Sequence, residues 1–357
     1  MPKSLKVRAA AVDLFCGAGG LTRGLLDSGV KVSAGYDIDA MCRFPYEYNN
    51  PGARFYQHSV SILTAEHLST HYPKGYARIL VGCAPCQTFS KYTQGLENDS
   101  DPKWTLLRDF GRLIRELKPD IVSMENVPEL QRYKIFLDFL SVLNEEGFHY
   151  TKDRHKQIVH CQDYGVPQHR RRLVVIASRL GPIELIPPTH HPKEHRTVAD
   201  VLRTLPALCA GEENSTDPLH RSSTLSAKNL QRIRSSRPGG TWRDWPYELR
   251  ADCHKEKSGA HYSSVYGRME WNKPSPTITT QFFGFGNGRF GHPEQDRGLS
   301  LREGATLQSF PKRYKFVEPD AEYHFKKIGK LIGNAVPVRL GVAIGKTITR
   351  HLSEHGR

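Results

Sequence analysis

Two cysteines three residues apart form the part of this sequence best suited to chemistry. They lie in the segment 82–87, Gly-Cys-Ala-Pro-Cys-Gln, directly after the apolar run 77–81. Such a run predicts a buried strand, and ligands in open α/β sheets bind beyond the carboxyl ends of the strands. Pro85 fixes its own φ and lacks a backbone donor, so Cys86 is presented from a stiff turn. We therefore interpret Cys86 as a candidate nucleophile.

Other interpretations of these cysteines stay open. A C-x-x-C pair also occurs in thioredoxin-like redox sites and as half of a zinc site, and a buried cysteine is often inert. A structural zinc needs a second ligand pair at regular spacing, which the remaining cysteines do not provide. The histidines at 190, 191 and 195 lie in a proline-bounded linker. We therefore expect no metal site and favour the nucleophile.

A glycine-rich turn follows the first predicted strand, residues 9–15. The helix after this turn ends near Gly29, and a second strand ends at Asp37, twenty positions after Gly17. A strand, a glycine-rich turn, a helix and a strand ending in an acid are the parts of a nucleotide-binding βαβ unit. The dinucleotide pattern requires a third glycine where this chain has Thr22. An adenosyl cofactor without a pyrophosphate therefore fits better.

Strands and helices continue to alternate beyond this unit. After the second strand, 31–36, further strands are predicted at 77–81, 120–124, 149–160 and 172–177, and helices at 105–117 and around 136–143. The strand at 120–124 brings Glu125 to the same sheet edge as Cys86, although a charged residue at a strand end is commonly just solvated. Three consecutive arginines, 170–172, either form a solvated basic turn or contact phosphates or bases.

The middle of the chain, 180–276, has a different character. Apolar periodicity fades there, proline and glycine become frequent, and cations alternate with Trp242 and Trp245. This pattern predicts a second, small domain whose basic residues meet phosphates and whose aromatics stack on bases. We expect Arg237 and Arg243 to contact nucleic acid. The resulting domains are a cofactor-binding domain with the candidate nucleophile at 1–179, a second domain at 180–276, and a return to the first domain at 277–357.

Composition narrows the partners and the compartment. The 357 residues contain 51 Lys and Arg against 37 Asp and Glu, a net charge of +14, which favours a polyanionic partner over a merely basic surface. Seven irregularly spaced cysteines fit a reducing compartment. The sequence has no signal peptide and no apolar run near the ~18 residues of a membrane helix. We expect a monomer in the cytoplasm, associated with the nucleoid and not with a membrane.

Taken together, these residues resemble the cytosine-5 DNA methyltransferases, in particular the compact bacterial type found in restriction-modification systems. The resemblance runs in the family's order from Asp13 to Val338, except in 179–259. It is carried by the glycine-rich turn, Pro85-Cys86-Gln87, Glu125-Asn126-Val127, Gln168 to Arg172, Arg302 to Pro311 and Gly333-Asn334. It implies an α/β fold with a Rossmann-like sheet that binds S-adenosylmethionine, and a second, smaller, irregular β-rich target-recognition domain. Double-stranded DNA is the implied substrate, and a separately acting restriction endonuclease is an implied partner.

The resemblance also implies roles for single residues. Cys86 would be the nucleophile, Glu125 the acid at the base, and Arg170 and Arg172 the residues that hold base and carboxylate. The implied cofactor pocket comprises Phe15, Gly17, Gly20, Asp37, Ile38, Ser59, Val60, Pro85, Leu106, Asn334 and Val336. Ser59 departs from the family, which usually has an acid there, and a serine accepts a hydrogen bond more weakly. The polar segment 87–103 would act as lid and wedge, with Gln87 and Ser90 on the DNA.

The implied chemistry explains these residue types. A thiolate adds at C6 of cytosine to activate C5, an acid serves N3, and the base must leave the duplex to be reached. Two rivals stay open. Transfer RNA methylation by the same fold uses a Cys-Phe-Thr tripeptide, which this sequence lacks. A non-catalytic nucleic-acid-binding regulator would not need Cys86, Glu125 and Arg172 together.

Overall fold

The structure is a computed structural model that describes residues 7–85, 102–256, 259 and 263–357, with side chains from 105 onward in the helix that begins at 102. The predictions for Cys86, Gln87, Ser90 and the lid segment lie outside the described residues. The rest forms two compact units. Unit 1 draws on Met1–Tyr164, Arg171–Thr189 and Val336–Arg357, and unit 2 on Gly165–Arg170 and His190–Ala335.

Unit 1 is built on a seven-stranded sheet. Its strands are β1 (Ala9–Leu14), β2 (Lys31–Asp37), β3 (Arg54–Gln57), β4 (Ala77–Gly82), β5 (Ile121–Asn126), β6 (Ile158–His160) and β7 (Arg171–Ser178). They lie in the order β3-β2-β1-β4-β5-β7-β6, with β1 to β5 parallel to one another and β7 antiparallel to both β5 and β6. Every residue of β1 and β5 is buried, as expected where helices cover both faces of a parallel sheet.

The helices of unit 1 cover this sheet. They are α1 (Gly20–Asp27), α2 (Arg43–Asn49), α3 (Ala65–Ser69), α4 (Pro102–Leu117), α5 (Lys134–Glu145) and α11 (Val338–Glu354). Helices α1 and α11 pack backbone to backbone at Gly24 and Gly341. The contact is so close that a Cβ at Gly24 would lie 2.5 Å from the carbonyl carbon of Gly341. On α4 and α5, the apolar faces that the 3.6-residue period predicts meet in the core, where Phe110 contacts Phe139.

Five of the predicted strands of unit 1 are confirmed within two residues at each end. The strand predicted at 149–160 is wrong in length, since only Ile158–His160 pairs as a strand and His149 forms an isolated bridge with Ser178. Between them the chain turns, and the Gln157 side-chain amide donates to the Thr151 carbonyl. Strand β3 was not predicted, because it has four residues at the sheet edge and buries only Phe55.

Unit 2 is less regular. It contains the helices α6 (Val198–Leu202), α7 (Ala227–Arg234), α8 (Asp252–Lys255), α9 (Leu301–Leu307) and α10 (Phe325–Asn334) and the short strands β8 (Glu213–Asn214) and β9 (Asp217–Arg221). In the described part of unit 2, strand pairing is limited to this two-stranded sheet and isolated bridges, so the predicted β-rich character is not found. Side chains form many of the hydrogen bonds that strand pairing would otherwise provide. The buried Arg268 guanidinium donates to the carbonyls of Ile233, Ser236 and His292.

The predicted domain boundary at 276 falls inside unit 2. Helix α9 packs on β9, and Arg302 of α9 forms an ion pair with Asp217 of β9 at 2.6 Å. These contacts group the segment up to Ala335 with unit 2 and leave α11 in unit 1. The capping box predicted at Ser300 and Glu303 is present at the start of α9.

Within the described residues, one stretch, Phe325–Glu354, is long and apolar enough to cross a membrane. It covers α10 and α11, and 78% of its most apolar window is buried inside the protein. Burial of this kind is typical of core helices and does not indicate a membrane span.

Candidate active site

Several of the predicted site residues of unit 1 meet at one edge of the sheet. The parallel register sets Leu14 of β1 opposite Tyr36 of β2 on one side and Gly82 of β4 on the other, and Asp37 opposite Gln57 of β3. The segments that follow these strands therefore lie side by side. They carry the predicted cofactor residues Phe15, Gly17, Gly20, Asp37, Ile38, Ser59, Val60 and Pro85.

The turn after β1 is held open by its backbone conformation. Phe15, Gly17 and Gly19 all have positive φ angles, of 58°, 51° and 84°, and a Cβ at Gly17 would meet no atom within 4 Å. The amide of Gly17 donates to Asp37 Oδ2 at 3.0 Å, which ties the turn to the end of β2. Burial raises the pKa of Asp37, and hydrogen bonds from the Asp39 and Gly17 amides oppose this. Ile38, the next residue, is 70% exposed beside the turn.

Beneath this turn lies a carboxyl that the sequence analysis did not single out. Asp13 is 1% exposed, and its Oδ2 accepts a 2.6 Å hydrogen bond from the Thr22 hydroxyl, whose oxygen is 3.0 Å from the Tyr46 hydroxyl. Its Oδ1 has no hydrogen-bond partner among the residues that the structure describes. Burial raises the Asp13 pKa to about 7, against the opposing effect of the Thr22 hydrogen bond. The signal was present in the sequence, since Asp13 is the one charged residue in the apolar run 9–15.

A second cluster lies at the ends of β4, β5 and β7. Glu125 on β5 pairs with Arg172 on β7, with Oε1 and Nε 3.0 Å apart and side chains only 9% and 13% exposed. Burial raises the Cys83 pKa well above its ordinary value, and the negative charge of Glu125, to which the thiol is hydrogen-bonded, raises it further. Cys83 is therefore a protonated thiol at neutral pH. The sequence does not reveal this contact, because the strand-end rule brings Glu125 to this end of the sheet but does not show which side chain it meets there.

The turn that leads to Cys86 is anchored to the same cluster. Asn126, the residue after Glu125, donates from Nδ2 to the Ala84 carbonyl at 3.1 Å. The last described residues before Cys86 are thus fixed to the end of β5. This arrangement brings the predicted nucleophile turn and the predicted acid to neighbouring strands.

The remaining predicted residues are placed as follows. Ser59 Oγ accepts from the Ser61 amide at 3.3 Å, so it caps the turn in which Val60 is buried. Leu106 is half-buried on α4 and Val336 is buried in unit 1, whereas Asn334 is exposed in unit 2. Arg170 is buried in unit 2, where its guanidinium donates to the Ile278 carbonyl at 2.9 Å. Its predicted contact with the substrate stays a prediction.

The aromatic residues of the middle segment are placed differently from the prediction. Trp242 and Trp245 are each 3% exposed and form a small core with Ile233 and Phe285, so they do not offer faces to nucleic acid bases. The cation beside them, Arg232, is part of that core and lies over the Trp245 ring. By contrast, Arg237 is 76% exposed, with Nε 3.5 Å from Asp244 Oδ2, and Arg243 is exposed.

The sheet, the glycine-rich turn with its acid and the buried Glu125–Arg172 pair define a methyltransferase of the α/β class. The sequence model of the C-5 cytosine-specific DNA methylases matches residues 9–350, and the chain belongs to this family. It is 51% identical over 346 residues to the Type II methylase M.HgiDII of Herpetosiphon aurantiacus, covering 96% of each chain. It is 31% identical to the Type II methyltransferase M.PspPI of Psychrobacter sp. (strain TA137), covering 96% of this chain and 79% of that one.

Solved structures agree on the fold. An E. coli prophage protein, proposed to be a DNA modification methyltransferase, superposes with a TM-score of 0.70 at 23% identity, covering 96% of this chain and 99% of the other. The Entamoeba histolytica methyltransferase EhMeth gives 0.63 at 14% identity, covering 97% and 99%. At these identities the likeness establishes the fold alone. With the family match, it confirms the α/β methyltransferase class and the assignment as a cytosine-5 DNA methyltransferase of restriction-modification type.

Proposed function

We propose that the protein methylates C5 of a flipped-out cytosine within a specific double-stranded DNA sequence, using S-adenosylmethionine and a covalent bond between Cys86 and C6. The observation that carries this proposal is the buried Glu125–Arg172 pair beside the turn that ends in Pro85. An acid and a cation at the end of neighbouring strands, one turn from a cysteine, suit addition of a thiolate to an electron-poor ring.

The residues present fit the proposed cofactor. The space above Gly17 is open, Ile38 offers an exposed apolar side chain, and Asp37 lies half-buried between them and the sheet. An acid at this position suits ribose hydroxyls, and an exposed aliphatic side chain suits an adenine ring. We propose that these residues hold S-adenosylmethionine together with Phe15, Gly20, Ser59, Val60, Pro85, Leu106, Asn334 and Val336. When bound, the cofactor would supply an activated methyl group, bonded to its positively charged sulfonium sulfur.

We propose the following roles for the chain's own residues. Cys86, as thiolate, forms the bond to C6, which makes C5 nucleophilic. Glu125 takes up a proton when the base binds and donates it to N3 as negative charge develops on the ring, and Arg172 holds the Glu125 carboxyl in place. After methyl transfer, a base removes the proton from C5, the C6–S bond breaks and releases the Cys86 thiolate, and the proton on N3 returns to Glu125. Cys83 stays protonated throughout and leaves Cys86 as the reactive thiol.

Unit 2 is the proposed target-recognition part, with Arg237 and Arg243 on its exposed surface and Gln87, Ser90 and Arg170 as further substrate contacts. We further propose that the protein works as a monomer in the cytoplasm, on the nucleoid, and that a separate restriction endonuclease cuts the same sequence when it is unmethylated. The type II names of the relatives support this context.

Methyl transfer to DNA tests the proposal directly. The protein should transfer label from S-adenosylmethionine to unmodified genomic DNA and not to total tRNA, and bisulfite sequencing should show one methylated sequence. Cys86→Ser should reduce transfer by at least about a hundredfold while cofactor binding, measured by calorimetry, stays intact. A duplex with 5-fluorocytosine at the target should trap the wild type covalently, because fluorine does not leave as a proton. Labelled tRNA, or no trapped species at saturating cofactor, would contradict the mechanism.

A further inference from the structure

Unit 2 contains a cavity of about 570 Å³ whose charges all have one sign. Lys326, Lys327 and Lys330 of α10 line it together with the polar side chains of Thr280, Gln281 and Asn287. No carboxylate is among its lining residues. The volume lies within the range of ligand sites, about 300–1,000 Å³, but the lining is cationic and polar where small-molecule sites are mostly apolar. The composition therefore indicates an anionic ligand.

The walls of this cavity are fixed by close packing. A Cβ at Gly329 would overlap the Phe283 ring, and one at Gly333 would overlap the Thr279 carbonyl, so the segment 279–283 lies directly on α10. The Phe283 ring also meets Phe325 edge to face at 5.2 Å. Because the glycines occupy the packed face of the helix, the three lysines fall on its exposed face.

The three lysines also differ from other lysines of the chain in having no carboxylate close to their ammonium groups within the described residues. Across the described ranges, none of the three has a carboxylate within 4.0 Å, whereas Lys156, Lys255 and Lys273 each pair with an acid at 3.0 to 3.2 Å. Three like charges around one cavity repel each other unless an anion lies between them. Thr280 and Gln281 add neutral hydrogen-bond donors to the same space.

We propose that this cavity binds backbone phosphate of the DNA substrate. The inference rests on the proposed function and adds a contact surface to it. Lysine is a point charge on a flexible stem and lacks the planar fork with which arginine reads guanine, so the contact would hold any sequence alike. A phosphate diester of a duplex and a free phosphate ester share this chemistry. The net charge of +14 favours the duplex.

The test compares two triple variants with equal loss of charge. One carries Lys326→Gln, Lys327→Gln and Lys330→Gln, and the control carries the same change at Lys156, Lys255 and Lys273. Binding to duplexes with and without the target sequence is measured over a salt series. The cavity variant should weaken both duplexes by the same factor and lower the log-log salt slope by about 0.9 for each lysine that contacts a phosphate. The control should leave the slope unchanged.

Three outcomes would overturn the inference. The first is a salt slope of the cavity variant equal to that of the wild type, and the second is weaker binding of the target duplex alone. The third is that inorganic phosphate stabilises the wild type against heat but not the variant, while the variant binds duplex normally; this would assign the cavity to a free phosphate compound. All the lysines are exposed, so thermal unfolding should show folded variants, and single substitutions resolve the contribution of each. Absence of DNA methylation by the wild type would instead refute the proposed function.

Discussion

Replacing Asp13 with asparagine should change the pH dependence of stability in a defined direction. Asparagine has the same shape and can still accept the hydrogen bond from Thr22, but it has no charge. In the wild type, burial at 1% exposure raises the Asp13 pKa from 3.8 to about 7. The folded protein therefore holds this proton over a pH range in which the unfolded chain has already lost it.

The sign and the size follow from this difference. Below pH 3.8 both states are protonated and the carboxyl has no effect on the free energy of unfolding. Between pH 3.8 and about 7 the unfolded chain is favoured by about 1.36 kcal/mol for each pH unit, and above about 7 the loss levels off at about 4 kcal/mol. From about pH 5 to about pH 8, the wild type should thus lose about 3 kcal/mol relative to Asp13→Asn.

Urea unfolding of both proteins across this pH range measures the effect. Because other groups titrate in both proteins alike, only the difference between the two free energies of unfolding is interpreted. Asp153→Asn removes an exposed carboxyl and is the control for the change from carboxyl to amide. A difference for Asp13→Asn that stays constant with pH would refute the assignment of a buried, proton-holding carboxyl beneath the glycine-rich turn.

Three further predictions concern packing, the acid site and recognition. Gly24→Ala should lower the free energy of unfolding by at least about 2 kcal/mol in urea, because its Cβ would meet the backbone of α11, which does not move as a side chain does. Arg172→Gln leaves Glu125 without its cation and should cost up to about 3 kcal/mol, with little change for Arg171→Gln, an exposed neighbour. Arg237→Ala or Arg243→Ala should relax the methylated sequence at one position in a randomised-site assay; unchanged preference in both would remove them from recognition.

The sheet of unit 1 could be predicted because its central strands are buried on both faces. Continuous apolar runs such as Ile79-Leu80-Val81 result from that burial. Because ligands bind beyond the carboxyl ends of such strands, the runs also locate Glu125 and the glycine-rich turn after β1. Strands are harder to predict from sequence where only one face is buried or where the strand is short. Strand β3 alternates its exposure over four edge residues, and the 149–160 segment owes its path to side-chain contacts of Gln157, which have no period.

The contacts within the site were harder to predict than the residues themselves. Asp13 and Thr22 belong to different elements, and their hydrogen bond depends on which face of β1 the carboxyl takes. Cys83 was considered only as a partner of Cys86, whereas burial raises its pKa first, and its hydrogen bond to Glu125 on the next strand raises the pKa further. A charged residue inside an apolar run, such as Asp13, is the one local sequence signal of a buried polar contact.

The cations of unit 2 show that net charge does not distinguish structural residues from residues that bind a ligand. Sequence alone gives Arg232, Arg268 and Arg297 the same standing as Arg237, yet the first three are buried and hold the unit together. Arg297 pairs with Glu303 at 2.7 Å, Arg268 donates to backbone carbonyls, and Arg232 lies over the Trp245 ring. In the small core around Trp242 and Trp245, aromatic rings pack with a guanidinium group, and this produces the same composition as a nucleic-acid-binding surface. Exposure separates the two uses, and Arg237, Arg243 and the lysines of α10 are exposed, as their proposed role in DNA binding requires.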